Sequence, residues 1–280
     1  MLQMMNLMLL FIRWNISPEI FRIDGFALRY YSLAFMLAFL ASYRIMAYML
    51  DSEGKSRMIL DRLLIYVVAG TIIGARLGHC LFYEFGYYRH HLLEIVLPFR
   101  WGSTGIEWTG YQGLASHGGA IGILVATGWF AHRYKLSWIW LLDRLAVVVP
   151  LAGGLVRIGN FFNAEIVGLP SQLPWAVIFE RVDDIPRHPA QLYEAACYFI
   201  IFALLIFLYK KNKAARKPGY LFGLLLILVF STRFLIEFVK ENQEAFENGH
   251  LLNMGQLLSL PLIAAGFYFL CFYNRQHDKK

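Results

Sequence analysis

The run Gly153-Gly-Leu-Val-Arg-Ile-Gly-Asn-Phe-Phe-Asn-Ala-Glu-Ile-Val-Gly168 closes an apolar stretch that begins near Leu136. A stretch of that length reads as a membrane-spanning helix, which takes about 20 apolar residues. Arg157 nevertheless stands at membrane depth, and Asn160, Asn163 and Glu165 stand at the exit. A charge inside a spanning helix costs about 2.5–3.5 kcal/mol on insertion scales, so its default reading is functional. Snorkelling to the headgroups is the alternative for Arg157 taken alone. The surrounding glycines weigh against it: they let a backbone or a ligand approach closely, and two amides and a carboxylate follow within two turns.

The chain of 280 residues is 58% hydrophobic and 16% charged. Soluble domains average about 45–50% apolar and 25% charged residues, so this is an integral membrane protein. The net charge of +7 does not point to nucleic acid. The basic residues cluster in loops between apolar runs, where orientation and anionic membrane lipids account for them. Cys80, Cys197 and Cys271 lie in or beside apolar runs without a pairing spacing and read as free thiols. No histidine–carboxylate spacing matches a metal site, and there is neither a nucleotide-phosphate loop nor a nucleophile elbow, so no metal or cofactor is expected. Residues 1–25 lack the basic leader of a secretory signal and read as an interfacial segment.

Seven apolar runs are long enough to cross a bilayer, near 26–50, 63–85, 111–131, 137–160, 188–209, 220–240 and 255–274. The fold class expected is an all-α integral membrane protein, a bundle of seven transmembrane helices forming a single polytopic domain over 1–280. Lys55, Arg57 and Arg62 follow the first run, Arg133 and Lys135 the third, and Lys210, Lys211, Lys213, Arg216 and Lys217 the fifth; Arg275, Lys279 and Lys280 close the tail. The alternate loops carry Glu165, Glu180, Asp183 and Asp184, or Glu241, Glu244 and Glu247. The positive-inside rule then places the C-terminus in the cytoplasm and, with seven spans, the N-terminus outside. Residues 161–187 become an extracytoplasmic loop segment, part of a small head.

On that topology six spans put polar groups at one depth, in the outer half of the bilayer. These are Tyr31, Arg76, His117 about 9 Å of helix from the outer end, the Arg157–Asn160 turn, His188 at the start of the fifth span, and Arg233 with Glu237 one turn further on. Each has a plainer reading. Arg233 and Glu237 can pair within their helix, His117 can pack between helices, His188-Pro189 can start a helix, and glycines 118, 119 and 122 can serve packing. Asp143 and Arg144, near the cytoplasmic end, read as an orienting pair. All of these would have to hold together for the site to vanish. Two arginines and a histidine suit an anionic headgroup, because a guanidinium grips phosphate through a two-pronged fork. Glu165 and Glu237 would orient them, Asn160 and Tyr31 would bond a hydroxyl or a phosphate oxygen, and histidine is the natural proton acceptor. With no nucleophile evident in the chain, the nucleophile should come from a second substrate. A transporter or binding protein for an anionic lipid or other anion is the competing reading.

At these residues the chain resembles the prolipoprotein diacylglyceryl transferase family, from about Ile23 to Phe267. The most specific match is Gly154-x-x-Arg157-x-Gly-Asn160-Phe-x-Asn163-x-Glu165-x-x-Gly168. Gly74-Ala-Arg76, His117-Gly-Gly, His188-Pro-x-Gln-Leu-Tyr-Glu194, Arg233-x-x-x-Glu237-Phe and Met254-Gly-Gln256 support it. The resemblance implies transfer of diacylglyceryl from phosphatidylglycerol to the lipobox cysteine of a prolipoprotein held by its signal peptide. A thioether forms and glycerol phosphate leaves, at the extracytoplasmic side of the bacterial cytoplasmic membrane. It implies catalytic roles for His117, Arg157, Arg233 and Tyr31, and substrate binding by Arg157, Asn160, Asn163, Glu165, Gly168, Glu237, Arg76 and His188. Arg29-Tyr-Tyr-Ser32 departs from the family's aromatic-Tyr-Gly run, which leaves Tyr30 beside Tyr31 as a candidate. Lys240-Glu-Asn-Gln243 stands where the family continues toward an arginine and a Pro-Asp pair.

Overall fold

A computed structural model describes residues 11–23, 26–97, 99–102, 105–108, 115–211, 217–241 and 252–273. Glu244, Glu247, Lys213, Arg216 and the basic tail, on which the expected orientation rests in part, lie outside the described residues. In chain order the elements begin with strands β1 (Ile12–Trp14), β2 (Glu19–Ile23) and β3 (Phe26–Arg29). Helices α1 (Tyr30–Ser52), α2 (Arg57–Phe82), α3 (Phe85–Tyr88) and α4 (Leu93–Val96) follow, then the hairpin β4 (Phe99–Gly102) and β5 (Gly105–Trp108). Next come α5 (Ser116–Arg133), α6 (Trp138–Asn163), β6 (Val177–Phe179), β7 (Pro186–Arg187) and α7 (Ala190–Lys211). The chain ends in α8 (Tyr220–Ile236), continued by a 3-10 turn (Glu237–Val239), and α9 (Met254–Tyr268), continued by a π turn (Phe269–Tyr273).

Six helices are long and apolar enough to cross a membrane: Tyr30–Ser52, Arg57–Phe82, Trp138–Asn163, Ala190–Lys211, Tyr220–Val239 and Met254–Cys271. They answer to six of the seven runs read from the sequence. The remaining run, 111–131, is α5, whose 18 residues rise about 27 Å, just short of a hydrocarbon core. Ser116, His117, His132 and Arg133 at its two ends dilute its apolar character. His117 lies in its first turn, not well inside a span as the sequence suggested.

The chain divides into two compact units. One contains the described residues up to Tyr48 and from Leu142 onward, and the other is Met49–Leu141. In the second unit α2 and α5 meet backbone to backbone. A Cβ on Gly118 would stand 2.3 Å from the Gly74 carbonyl oxygen, and one on Gly122 would stand 2.0 Å from that of Gly70. Gly118 and Gly122 are therefore packing positions, as their plainer reading had it, whereas a Cβ on Gly119 meets nothing nearer than 3.6 Å. Small residues let helices approach where lipid gives no hydrophobic drive. Gly122→Val should cost about 1–3 kcal/mol or more by overpacking this seam. Thermal unfolding in detergent checks it, with Gly119→Ala expected to stay near wild type.

The first unit carries the N-terminal strands. β1 pairs in parallel with β6, and β6 antiparallel with β7, in a three-stranded sheet. Phe161, Val167, Val177 and Phe179 form the core beneath it, with Trp14, Ala164 and Leu192 packed against them. Ile12–Trp14 thus adds a strand to the sheet of segment 161–187, and Arg13 ties it down by bonding Glu180. Asp143, read as half of an orienting pair, is fully buried and accepts from the Gly219 (2.7 Å) and Phe222 (2.9 Å) amides. Its carboxylate closes the amino end of α8, where unsatisfied amides and the helix dipole favour an anion.

Candidate functional site

The site in the first unit is built where α6 ends. Asn160 and Asn163 occupy its last turn, after which Ala164 (φ 54°) and Ile166 (φ 57°) adopt left-handed backbone. That conformation is a genuine outlier for a β-branched residue and stores strain. It folds Glu165 back over the helix end, with the Glu165 amide bonded to the Asn160 carbonyl at 3.0 Å. The Glu165 carboxylate then accepts from the Asn160 amide at 3.0 Å and from the Asn163 amide at 3.1 Å. Gln191, fully buried on α7, donates to the Glu165 carbonyl at 2.6 Å and pins the turn.

With its amide nitrogen committed to Glu165, Asn160 turns its oxygen to Arg157, accepting from Nη1 at 3.2 Å. The Nε of Arg157 pairs with Glu194, a fully buried carboxylate on α7, and the guanidinium also bonds the Tyr198 hydroxyl. Glu194 in turn reaches the Lys240 ammonium at 3.6 Å, and Lys240 bonds Glu237 at 3.0 Å. Arg233 is half-buried and acts electrostatically on the same Tyr198 hydroxyl as Arg157. Among the described residues Arg233 has no hydrogen-bonded or ion-paired partner. The expected alternative of an Arg233–Glu237 pair within one helix is not what forms, because Glu237 is taken by Lys240.

Tyr31 packs against Gly159, where a Cβ would stand 3.0 Å from its ring, and lies within the fields of Glu165 and Arg157. Tyr30 instead stacks on Phe162 at 4.3 Å. Of the two candidates, Tyr31 faces the charged cluster. Gly168 sits at a crossing of three segments: its amide donates to the His188 carbonyl at 3.0 Å, and it bridges Lys240 in antiparallel fashion. A Cβ there would meet the His188 carbonyl oxygen at 2.5 Å and that of Val239 at 2.8 Å. His188 bonds the Tyr193 hydroxyl through Nδ1 at 3.2 Å, and Trp175 donates to that same hydroxyl at 2.7 Å. Arg187 locks the crossing from outside, donating to the Gly168 carbonyl at 3.2 Å and to Asp183 at 2.5 Å. That hydrogen bond holds the Asp183 carboxyl below the usual carboxylate range.

Arg76 and His117 belong to the second unit. Arg76 is buried, donates to the Glu94 and Ile95 carbonyls at 2.6 and 3.1 Å, and lies over the Tyr88 ring. Its guanidinium holds α4 in place. The His117 side chain is exposed.

Sequence reasoning passed over Glu194, Gln191, Tyr198 and Lys240. The first two stood in the His188–Glu194 run without an assigned role, and Lys240 follows Glu237 at a helical spacing that marks a neighbour. Met254-Gly-Gln256 also finds its reason. Gln256 and Asn253 cap α9 reciprocally, and Gly255 leaves room for Glu237, whose carboxyl carbon a Cβ would approach to 2.7 Å. Among the described residues, no group of three or more His, Cys, Asp and Glu side chains could hold a metal ion.

Apolar helices long enough to cross a membrane, one of them ending in a strained turn that holds Arg157 through Asn160 and Glu165, define a multi-pass membrane protein. The model of the family described as prolipoprotein diacylglyceryl transferase matches residues 18–272. A phosphatidylglycerol–prolipoprotein diacylglyceryl transferase of Bacteroides fragilis is 42% identical over 277 residues, covering 99% of this chain and 100% of that relative. Relatives of the same name from Tolumonas auensis (43% identical, 92% and 95% covered) and Chloroherpeton thalassium (42% identical, 91% and 92% covered) agree. The chain belongs to the prolipoprotein diacylglyceryl transferase family and is a transferase.

Proposed function

We propose that the chain transfers the diacylglyceryl group of phosphatidylglycerol to the thiol of a prolipoprotein's lipobox cysteine. The sulfur attacks the glyceryl carbon next to the phosphate, a C–S bond forms, and the C–O bond to glycerol phosphate breaks. The thiol proton goes to a base, and the leaving group departs as a phosphate monoester with added negative charge. The observation that carries this reading is the state of the two arginines. Arg157 is oriented by Glu194 and Asn160 with part of its five-donor fork left over, and Arg233, which bears on the same Tyr198 hydroxyl, has no bonded partner among the described residues. Donors fixed before the reaction stabilise charge that develops during it.

In this reading Arg157 and Arg233 hold the phosphate, and Asn163 and Glu165 keep Asn160 facing Arg157. Tyr31 bonds a glycerol or phosphate oxygen. Gly168, His188 and Glu237 keep the surrounding segments in register. Within the second unit Arg76 holds α4 through the Glu94 and Ile95 carbonyls, and His117 accepts the thiol proton. The site lies toward the extracytoplasmic side of the bacterial cytoplasmic membrane, with the C-terminus in the cytoplasm. The prolipoprotein enters by its signal peptide, and no nucleic acid takes part.

A His117→Gln variant should lose about 10²-fold or more in turnover if the imidazole is the base. Wild-type turnover in that variant would remove it from the mechanism. The function itself is tested with purified protein, phosphatidylglycerol and a lipobox peptide, following glycerol phosphate. Release that needs the peptide's cysteine is the expected result. Lipid counterflow across vesicles without any release would move the reading to a transporter.

A further inference from the structure

Three cations and three carboxylates meet at the helix ends of the first unit: Arg157, Arg233 and Lys240 against Glu165, Glu194 and Glu237. Glu194 is divided between two of the cations, with Oε2 on Arg157 and Oε1 on Lys240. Its side chain is 1% exposed and that of Lys240 is 2% exposed. Buried charges of this kind persist only when each is compensated, and removing one partner leaves the other exposed to the low dielectric. Lys240 also bonds Glu237, whose side chain is 9% exposed. Without Lys240, two buried carboxylates would bear on the arginines that are to receive a phosphate.

We propose that Lys240 is a positioning residue for the anion clamp. It neutralises Glu194 and Glu237, so that Glu194 can fix the Nε edge of Arg157 without cancelling the charge that Arg157 offers to phosphatidylglycerol. The inference rests on the transferase reading above and adds to it a residue that touches no substrate. Its backbone role is separate. The Gly168–Lys240 bridge and the Leu169 amide bonded to the Val239 carbonyl use main-chain atoms that a side-chain change leaves in place.

The two members of the pair should move substrate affinity in opposite directions. Lys240→Met removes a positive charge and is expected to raise the apparent KM for phosphatidylglycerol by about tenfold or more, with a smaller effect on kcat. Lys240→Arg restores the charge and should stay within about threefold of wild type. Glu194→Gln keeps an oxygen for the Arg157 Nε while removing a negative charge, so its KM should not rise. The double variant Glu194→Gln/Lys240→Met should fall between the two single variants.

The measurement is steady-state transfer to a lipobox peptide in mixed micelles, varying the surface fraction of phosphatidylglycerol, with thermal unfolding of each variant alongside. The ordered pattern supports the proposal. A wild-type KM in Lys240→Met overturns it, as does a Glu194→Gln variant whose KM rises as much. If Lys240→Met does not fold, Lys240→Arg and Glu194→Gln decide: a tenfold rise in either overturns it. Failure of the wild-type protein to form product would instead overturn the transferase reading, whatever the variants do.

Discussion

Arg157→Ala should lower diacylglyceryl transfer by about 10³-fold or more, the scale seen when an arginine or preorganised donor facing developing charge is removed. The size follows from how many neighbours are arranged around this one side chain. Glu194 meets its Nε edge, Asn160 meets Nη1, and Tyr198 meets the guanidinium again. Glu165 and Asn163 bear on it only through Asn160. Removing the guanidinium leaves Glu194 buried with Lys240 alone, so part of the loss should appear as lower stability. Arg157→Lys separates the two effects. An ammonium can compensate Glu194 but cannot reach Glu194, Asn160 and Tyr198 in one plane while gripping phosphate. The Arg157→Lys protein should therefore unfold near the wild-type temperature yet remain at least about 10²-fold slower. Kinetics and thermal unfolding on the same preparations check both halves.

Gly168→Ala should be nearly as damaging, by another route. The added Cβ would stand 2.5 Å from the His188 carbonyl oxygen and 2.8 Å from that of Val239, both backbone atoms that cannot swing aside. The crossing must open, and the segments it joins are those that carry Lys240 and His188. Overpacking of this kind costs about 1–3 kcal/mol or more. A displacement of about 1 Å at a positioning group can cost 10²-fold in rate. Transfer should thus drop by about 10²-fold with a lowered unfolding temperature. A variant with wild-type values for both would show that the crossing yields without consequence.

Much of this molecule was legible in its sequence because a bilayer restricts what can be built. A long apolar run is a helix there, since its amides and carbonyls have no other partners. Six of the seven runs accordingly became helices long and apolar enough to span. Departures came where other forces enter. The first run begins in strand because Phe26–Arg29 pairs with β2, and α5 is shorter because polar residues occupy both of its ends.

The candidate site was legible through its anomalies. Arg157, Asn160 and Glu165 were conspicuous in an apolar run, and the structure joins them through hydrogen bonds. Glu194 and Lys240 were not conspicuous. Their importance lies in a pairing between positions 46 residues apart in the chain, which no local spacing announces. Arg76, a charge in a span that the sequence offered as a ligand-binding group, donates to two backbone carbonyls. A lone intramembrane charge can serve either substrate or backbone, and sequence alone does not separate the two.

The most direct test of the account is the mass of the peptide product. Purified protein would be incubated with phosphatidylglycerol of defined acyl chains and a lipobox peptide, alongside Arg157→Ala protein and a peptide carrying serine for cysteine. The expected product is a peptide heavier by one intact diacylglyceryl group, its link to sulfur stable to neutral hydroxylamine as a thioether is, and absent from both controls. A gain of a single acyl chain that hydroxylamine removes would contradict it, because the bond broken would then be an ester and not the one to phosphate. Full product formation by the Arg157→Ala protein would contradict it as well.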